Sequence, residues 1–219
     1  MKTDQILQQE VHDAIRWEPL LQNDQINVAV KDGIVTLKGT VTDYYKKSAA
    51  ENAARDVAGV TAVLEHIDVR GLKTAPSDDE IATAAIELLQ RSWSMPVDRV
   101  KIKVENGWLT LEGEIPCLYQ KMDAKALVSY LPGVKGITNA IKVTSEMNDG
   151  IEQKEVMAAL QRNSEVNTKD ITVKVTGTGV RLSGYVASLY QKQEAERIAS
   201  KTKGISSVSN RLIVIHAIS

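Results

Sequence analysis

One pattern occurs three times along this chain of 219 residues. Each copy has a glycine, a tyrosine six residues later, and a second glycine twenty residues after the first. The matching residues are Gly39, Tyr45 and Gly59, then Gly113, Tyr119 and Gly133, then Gly184, Tyr190 and Gly204. The copies are offset by 74 and then 71 residues, longer than the period of about 20–50 residues typical of solenoid repeats. We therefore expect three small domains, at residues 1–72, 77–144 and 149–219.

Hydrophobic periodicity changes in the same order within each copy. In the first copy, apolar residues recur at helical spacing over 6–15 and then alternate over 26–30 and 35–41. The two alternating segments flank an Asp-Gly pair at 32–33, which is a strong hairpin signal, and the second copy has Asn-Gly at 106–107. A second helix and a third alternating segment follow. This order predicts an α+β fold of three tandem αββαβ domains, each a three-stranded mixed sheet with two helices on one face.

Glycines recur at two positions where a backbone role is expected. The first set, on the inward side of the second strand, is expected to let the second helix approach the sheet closely. The second set, after the second helix, is expected to adopt the left-handed conformation that ends it. These sets are Gly39, Gly113 and Gly184, and Gly59, Gly133 and Gly204. In the third copy, Gly177-Thr178 replaces the Asp-Gly pair, which leaves the type of that turn open.

Composition and charge argue against several classes of protein. The 27 basic and 28 acidic residues give no global positive field, so binding to nucleic acid through bulk charge is not expected. No segment approaches the roughly 18 apolar residues of a membrane-spanning helix. The first residues show neither the apolar segment nor the cleavage site of an export signal, which favours a cytoplasmic location, or a periplasmic one if the N-terminus was processed. Cys117 is the single cysteine, so no internal disulfide can form.

Residues suited to catalysis or metal binding do not occur in a recognisable pattern. His12, His66 and His216 share no metal-ligand spacing, and Cys117 has no histidine at a motif-like distance. The acidic residues near Ser77 fit a capping box with Glu80 at a helix start, and Asp149 with Glu152 fits a similar part in the third copy, while Thr3 and Asp4 are candidate caps of the first helix. We therefore expect neither an enzyme nor a cofactor or metal.

The repeated unit resembles the BON domain, named for bacterial osmotically inducible and nodulation proteins. The resemblance rests on a Val-Thr-Leu-x-Gly-like strand after the turn, a later Gly-Val pair, and an asparagine before the last strand. These features lie at 35–39 and 109–113, at 59–60 and 133–134, and at Asn139 and Asn210, with Glu65 in place of asparagine in the first copy. The resemblance implies a non-enzymatic binding domain proposed to contact phospholipid membranes, often in envelope and osmotic-stress proteins. The family has no catalytic motif, so no site residues are carried over.

Charge differs between the copies and indicates a candidate lipid-contact surface. The net charge is −3 over residues 1–72, −1 over 73–146 and +3 over 147–219. The third copy has four basic residues around its second helix: Lys192, Arg197, Lys201 and Lys203. They could contact anionic lipid head groups, at about 1 kcal/mol per basic residue near the surface. The alternative is a solvated helix face whose last-turn cations complement the helix dipole.

Three tryptophans stand out in a chain that contains no phenylalanine. Trp17 and Trp93 lie near the ends of the first helices, where they could cap a core or touch a neighbouring copy. Trp108 falls on the outward side of its strand, beside Lys101 and Lys103, and is a candidate interface residue unless another copy covers that face. Two functions follow as hypotheses: association with anionic phospholipid membranes in a bacterial osmotic or general stress response, or a self-associating scaffold that binds itself or other proteins.

Overall fold

The computed structural model describes residues 2–22, 24–70, 75–92, 95–144 and 153–215. Domain 1 contains α1 (Asp4–Trp17), a 3-10 turn (Pro19–Leu21), β1 (Ile26–Lys31), β2 (Ile34–Val41), α2 (Tyr44–Asp56) and β3 (Ala62–Val69). Domain 2 contains α3 (Asp78–Arg91), a 3-10 turn (Val97–Arg99), β4 (Val100–Glu105), β5 (Trp108–Ile115), α4 (Leu118–Val128), β6 (Gly136–Asn139) and β7 (Lys142–Val143). Domain 3 contains α5 (Gln153–Gln161), β8 (Ile171–Thr176), β9 (Gly179–Val186), α6 (Leu189–Lys201) and β10 (Ser207–Val214).

Each domain has a mixed sheet in which the second strand is central. β2 pairs with β1 in antiparallel and with β3 in parallel orientation, and β9 pairs with β8 and β10 in the same way. In domain 2 the parallel strand is split into β6 and β7, which both pair with β5. The helices pack on one face of the sheet, around buried central-strand residues such as Leu37, Leu111 and Leu182. The α+β fold of three tandem αββαβ domains is confirmed.

Two of the three hairpin turns have the positive φ angles that their Asp-Gly and Asn-Gly sequences favour. φ is 52° at Asp32 and 75° at Gly33, and 53° at Asn106 and 80° at Gly107. Positive φ at both central residues is the type I′ pattern, which matches the twist of the strands. In domain 3 only Gly177 is positive, at 58°, which fits a type II′ turn. The turn of domain 3, whose type the sequence did not determine, is therefore a two-residue turn of a different type from the other two.

A carboxylate at the start of the first helix binds the backbone of the hairpin turn. Asp4 accepts hydrogen bonds from the amides of Asp32 (3.0 Å) and Gly33 (3.3 Å). Asp78 repeats this contact in domain 2, at 2.7 and 2.8 Å. The residue before each of these aspartates caps the helix: Thr3 caps α1, and Ser77 forms the expected capping box with Glu80 at the start of α3. In domains 1 and 2, one carboxylate thus ties the helix start to the hairpin turn.

The closest neighbours of the central-strand glycines lie at the first strand and not on the second helix, which corrects the expected close approach of that helix. A Cβ added at Gly113 would lie 1.9 Å from the carbonyl oxygen of Arg99, and one at Gly184 would lie 1.8 Å from that of Asp170. These carbonyls immediately precede the first strand of the sheet. Gly39 has the same neighbour, because its added Cβ would lie 2.5 Å from the carbonyl oxygen of Gln25. The close approach is therefore between two strands, at the end of the hairpin distant from its turn.

The glycines after the second helices have positive φ, as expected, but they do not end the helices. The φ angles are 110°, 84° and 86° at Gly59, Gly133 and Gly204. The helices end three to five residues earlier, at Asp56, Val128 and Lys201. Each glycine is the third residue of a turn closed by a backbone hydrogen bond, such as that from Val134 to Leu131 at 3.4 Å. Glycine at this position is the type II signature, and Pro132 precedes Gly133 as that turn prefers.

The three domains are joined by one contact that occurs three times in cyclic order. The first residue of each second helix is Tyr44, Leu118 or Leu189, which are equivalent positions in the repeat. Tyr44 packs against the core of domain 2, Leu118 against the core of domain 3, and Leu189 against the core of domain 1. Head-to-tail contacts of this kind form a ring when the rotation closes, and here it closes within one chain.

The contact between domains 1 and 2 has two further interactions. The amide of Tyr44 donates a hydrogen bond to the carbonyl oxygen of Val134, at 3.1 Å. The ring of Tyr45 stacks on that of Tyr130, with the centroids 6.2 Å apart. The tyrosine that marks the first repeat in the sequence thus takes part in the interface between domains.

We predict that Leu189→Ala, a change in domain 3, loosens domain 1. The substitution removes apolar atoms from the core of domain 1, so the free energy of unfolding should fall by about 1–3 kcal/mol, somewhat below the usual cost for a fully buried leucine. Hydrogen exchange should speed up in α1 and β2. Leu64→Ala is the matched control, because Leu64 is 51% exposed. Faster exchange confined to domain 3 would contradict the cyclic contact.

We also predict that Gly113→Ala destabilises the protein by about 3 kcal/mol or more, because it combines strained backbone with a steric overlap. Gly113 has a φ of 133°, and its added Cβ would overlap the Arg99 carbonyl. Gly179→Ala is the control, since Gly179 begins a strand and its nearest contact would be 3.2 Å. Chemical denaturation should show a much larger loss of stability for Gly113→Ala, and equal losses would argue against this reading.

Candidate membrane-contact and interaction surfaces

The four basic residues around α6 do not form one surface. Lys192 and Lys201 are nine residues apart, which places them on opposite sides of a helix with 3.6 residues per turn. Arg197 forms an ion pair with Glu194, whose side chain is buried. The Nε of Arg197 lies 2.6 Å from one carboxylate oxygen of Glu194, and the Nη2 of Arg197 contacts the other. Asn163 also donates to Glu194, at 2.9 Å. The guanidinium of Arg197 lowers the pKa of the Glu194 carboxyl. Arg197 is therefore paired with a carboxylate of its own helix and is not a free cation.

Lys201 and Lys203 do lie together, at an open groove between α5 and α6. Arg162 joins them there, and Glu155 is the one carboxylate among the described residues that line the groove. The apolar part of the lining consists of Ala158, Ala159 and Ile198. Sequence reasoning therefore identified two members of a basic groove, but it missed Arg162, which comes from the other helix.

The outer face of the sheet in domain 3, the face turned away from α5 and α6, combines cations with exposed apolar side chains. Lys174, Arg181 and Arg211 are exposed on its three strands. Tyr185 and Ile213 are register partners on β9 and β10, with 49% and 57% of their surface exposed. The sequences of β8, β9 and β10 contain no Asp or Glu. No carboxylate on these strands offsets the three cations.

This face escaped the sequence analysis, although the signal for it was present. Arg181, Ser183 and Tyr185 occupy every second position of β9. Arg181 and Tyr185 therefore share the outward side of the strand. Ile215, 45% exposed just after β10, extends the apolar end of the face.

The outer face of domain 2 has a different character. Trp108 lies on its outward side, as expected, and is 53% exposed. Its indole Nε1 donates to the hydroxyl of Thr138 at 2.8 Å, and its ring lies over Gly136, where an added Cβ would come within 2.4 Å of it. Charges of both signs surround it: Lys103 pairs with Glu105 at 2.9 Å, and Lys101 lies opposite Glu112 in the register. Trp108, Lys101 and Lys103 thus lie on a face of mixed charge.

The corner between the second helix and the last strand differs in domain 1, as the Glu65 exchange suggested. The amide of Asn139 donates to the backbone carbonyl of Lys121 at 2.6 Å, and that of Asn210 donates to the carbonyl of Lys192 at 2.7 Å. A carboxylate cannot donate such a bond. Glu65 instead pairs with the ammonium group of Lys47, at 2.9 Å. An ion pair replaces a backbone contact at the same place in the fold.

The remaining candidates from the sequence do not come together. In the described part of the chain, no group of three or more His, Cys, Asp and Glu residues could hold a metal ion. Cys117 precedes α4, and burial raises the pKa of its thiol, which disfavours the reactive thiolate. Trp17 is 81% exposed at the end of α1. The other candidates, namely Trp93, Asp149, Glu152 and His216, lie outside the described residues.

Comparison with known proteins assigns the repeat. Three segments, residues 3–71, 77–145 and 148–215, match the model of the BON domain. The chain belongs to the BON domain family. The three matches cover nearly all of the chain and coincide with the three αββαβ domains, so the resemblance seen in the sequence is confirmed.

One curated relative is, by its name, an osmotically inducible protein. Over 82 residues the chain is 37% identical to osmotically-inducible protein Y of Escherichia coli K12, a match that covers 37% of this chain and 41% of that protein. The chain thus spans less than half of that relative. It is also 26% identical to a 4-phosphopantoate--beta-alanine ligase of Methanosarcina mazei, over 95% of this chain and 92% of the ligase. BON membership and the first relative indicate a non-catalytic family.

Solved structures add little to this assignment. CdsD, a structural protein of the type III secretion system of Chlamydia trachomatis, aligns over 96% of this chain and 92% of its own, with 15% identity and a TM-score of 0.25. A second structure, of the CdsD C-terminal domain, gives 17% identity and the same TM-score. These scores carry no argument about how this BON protein is arranged. No helix in its described ranges combines the length and apolar character needed to span a bilayer.

Proposed function

We propose that this BON protein is a non-enzymatic stress-response protein of bacteria that associates with anionic phospholipid membranes through the outer face of domain 3. This face combines three cations with two exposed apolar side chains, and this combination supports the proposal. The cations are Lys174, Arg181 and Arg211, the apolar residues are Tyr185 and Ile213, and the strands contain no carboxylate. The stress context is supported by the likeness to osmotically-inducible protein Y.

The two kinds of side chain on this face suit two parts of a membrane surface. Basic residues close to an anionic leaflet contribute about 1 kcal/mol each, and their attraction fades within a Debye length. A tyrosine favours the interface, where its ring contacts apolar groups and its hydroxyl stays hydrated. Ile213 beside Tyr185 adds apolar area for shallow insertion. Three cations alone give weak binding, so the apolar pair is needed for stable association.

We predict that Arg181→Glu with Arg211→Glu abolishes sedimentation with vesicles of phosphatidylglycerol and phosphatidylcholine. Wild-type protein should bind these vesicles, bind pure phosphatidylcholine poorly, and lose binding as salt is raised. Lys101→Glu with Lys103→Glu is the control, since it makes the same charge change on the outer face of domain 2. Tyr185→Ser with Ile213→Ser should weaken binding without changing the salt dependence.

A parallel variant tests the surface that the sequence suggested. Lys201→Glu with Lys203→Glu reverses the groove between α5 and α6 and leaves the outer face unchanged. If this variant loses binding while the Arg181 and Arg211 variant keeps it, the groove is the contact surface and the outer face is not. If neither variant loses binding, or if wild-type protein does not bind, the membrane proposal is overturned.

The alternative function is a self-associating scaffold, and Trp108 is the observation that favours it. An exposed aromatic residue within a face of mixed charge is a typical contact hot spot between proteins. The hydrogen bond to Thr138 already restricts the indole of Trp108, so less side-chain entropy is lost when a partner covers it.

We predict that Trp108→Ala reduces the molar mass measured by light scattering if the chain self-associates through this face. Trp17→Ala is the matched control, because Trp17 is 81% exposed in another domain. A wild-type monomer over a wide concentration range, or an oligomer unaffected by Trp108→Ala, would remove this face from consideration as a self-association surface.

A further inference from the structure

A large cleft lies where the second helices of the ring meet, and the functions above do not use it. Its volume is about 1060 Å³, at the upper end of the range for small-molecule pockets. Domain 1 lines it with residues of α2, domain 2 with residues of α4 and of the segment 139–143, and domain 3 with Glu196 and residues 206–208. We call it the interdomain cleft. A ligand held there would contact all three domains.

Positive charge predominates in the interdomain cleft. Among the described residues that line it, four are basic, Arg55, Lys121, Lys125 and Lys142, and two are acidic, Glu51 and Glu196. Arg55 and Glu51 pair with each other along α2. Glu196 accepts a hydrogen bond from the amide of Asn210, at 3.1 Å. Lys142 lies opposite Glu114 in the register of β5 and β7, so the surplus charge comes from Lys121 and Lys125 of α4.

These two lysines make no ion pair with any residue that the structure describes. Lys121 and Lys125 are four residues apart on α4, so their ammonium groups share one side of the helix. Like charges at this spacing destabilise a helix slightly, by a few tenths of a kcal/mol, unless a counter-charge lies between them. The arrangement presents a cationic rim that a bound anion would neutralise.

Beside this rim the cleft has an apolar wall. Leu118 packs on the core of domain 3, Ile141 is buried, and Met122 remains 36% exposed toward solvent. All three line the cleft. A flexible methionine accommodates apolar groups of different shapes. Small-molecule sites typically combine such an apolar wall with a few polar groups that fix the orientation of the ligand.

We propose that the interdomain cleft binds a small amphipathic anion. Its charged group, a carboxylate, sulfonate or phosphate, lies between Lys121 and Lys125, and its apolar body lies against Met122 and Leu118. This site is separate from the outer face of domain 3, so it stands or falls independently of membrane association. The same chemistry occurs in a free fatty acid and in a single phospholipid, and competition experiments distinguish the two.

Titration with 8-anilinonaphthalene-1-sulfonate, an amphipathic anion whose fluorescence rises on binding, tests this site. Wild-type protein should show one saturable site per chain. Lys121→Glu with Lys125→Glu should weaken the affinity at least tenfold, while Lys101→Glu with Lys103→Glu, the same charge change on another surface of domain 2, should leave it unchanged. Should the first variant fail to fold, Lys121→Gln with Lys125→Gln should still weaken binding clearly.

Competitors then identify the class of ligand. Displacement of the dye by decanoate indicates a free carboxylate, and displacement by dihexanoylphosphatidylglycerol alone indicates a lipid head group with its chains. The proposal is overturned if the dye does not saturate, if the Lys121 and Lys125 variants bind it as wild-type protein does, or if pyrophosphate displaces it while neither amphiphile does.

Discussion

The packing of one residue from each second helix against the core of the neighbouring domain holds the three domains together. Tyr44, Leu118 and Leu189 occupy the same position in the repeat, and each covers apolar surface that a lone domain would expose to water. Because every domain both gives and receives this residue, the helices α2, α4 and α6 are drawn to the middle of the molecule. The opposite faces of the sheets are left free for contacts with other molecules, and they are the parts that differ most.

The domains are alike where they meet and unlike where they face solvent. The central strands and the turns after the second helices follow one plan, down to the positive φ angles of Gly59, Gly133 and Gly204. The outer faces follow no common plan, since domain 2 presents Trp108 among charges of both signs and domain 3 presents Tyr185 among cations alone. A repeated scaffold with diversified surfaces suits a protein that binds rather than one that catalyses.

Local structure could be predicted from the sequence because local signals determine it. The Asp-Gly and Asn-Gly pairs at 32–33 and 106–107 dictate their turns, and the alternation around them dictates which side of each strand is buried. The neighbour of Gly113 could not be predicted, because a strand and a helix are equally compatible with a missing side chain. Nor could the ring, since Tyr44 differs in chemistry from Leu118 and Leu189 and none of the three has a visible partner in the sequence. The lysines of the interdomain cleft gain their relation to Met122 and domain 3 only from that ring.

Cyclic closure also sets the number of repeats that such a chain can use. An open array of domains can lengthen by one unit without loss, because its terminal units simply move outward. In this chain Leu189 already fills the site on domain 1, so a fourth copy would find no vacant acceptor, and a chain of two copies would leave one acceptor and one donor uncovered. Gain or loss of a whole repeat by gene duplication or deletion would therefore be penalised, and the three copies are expected to evolve as a set.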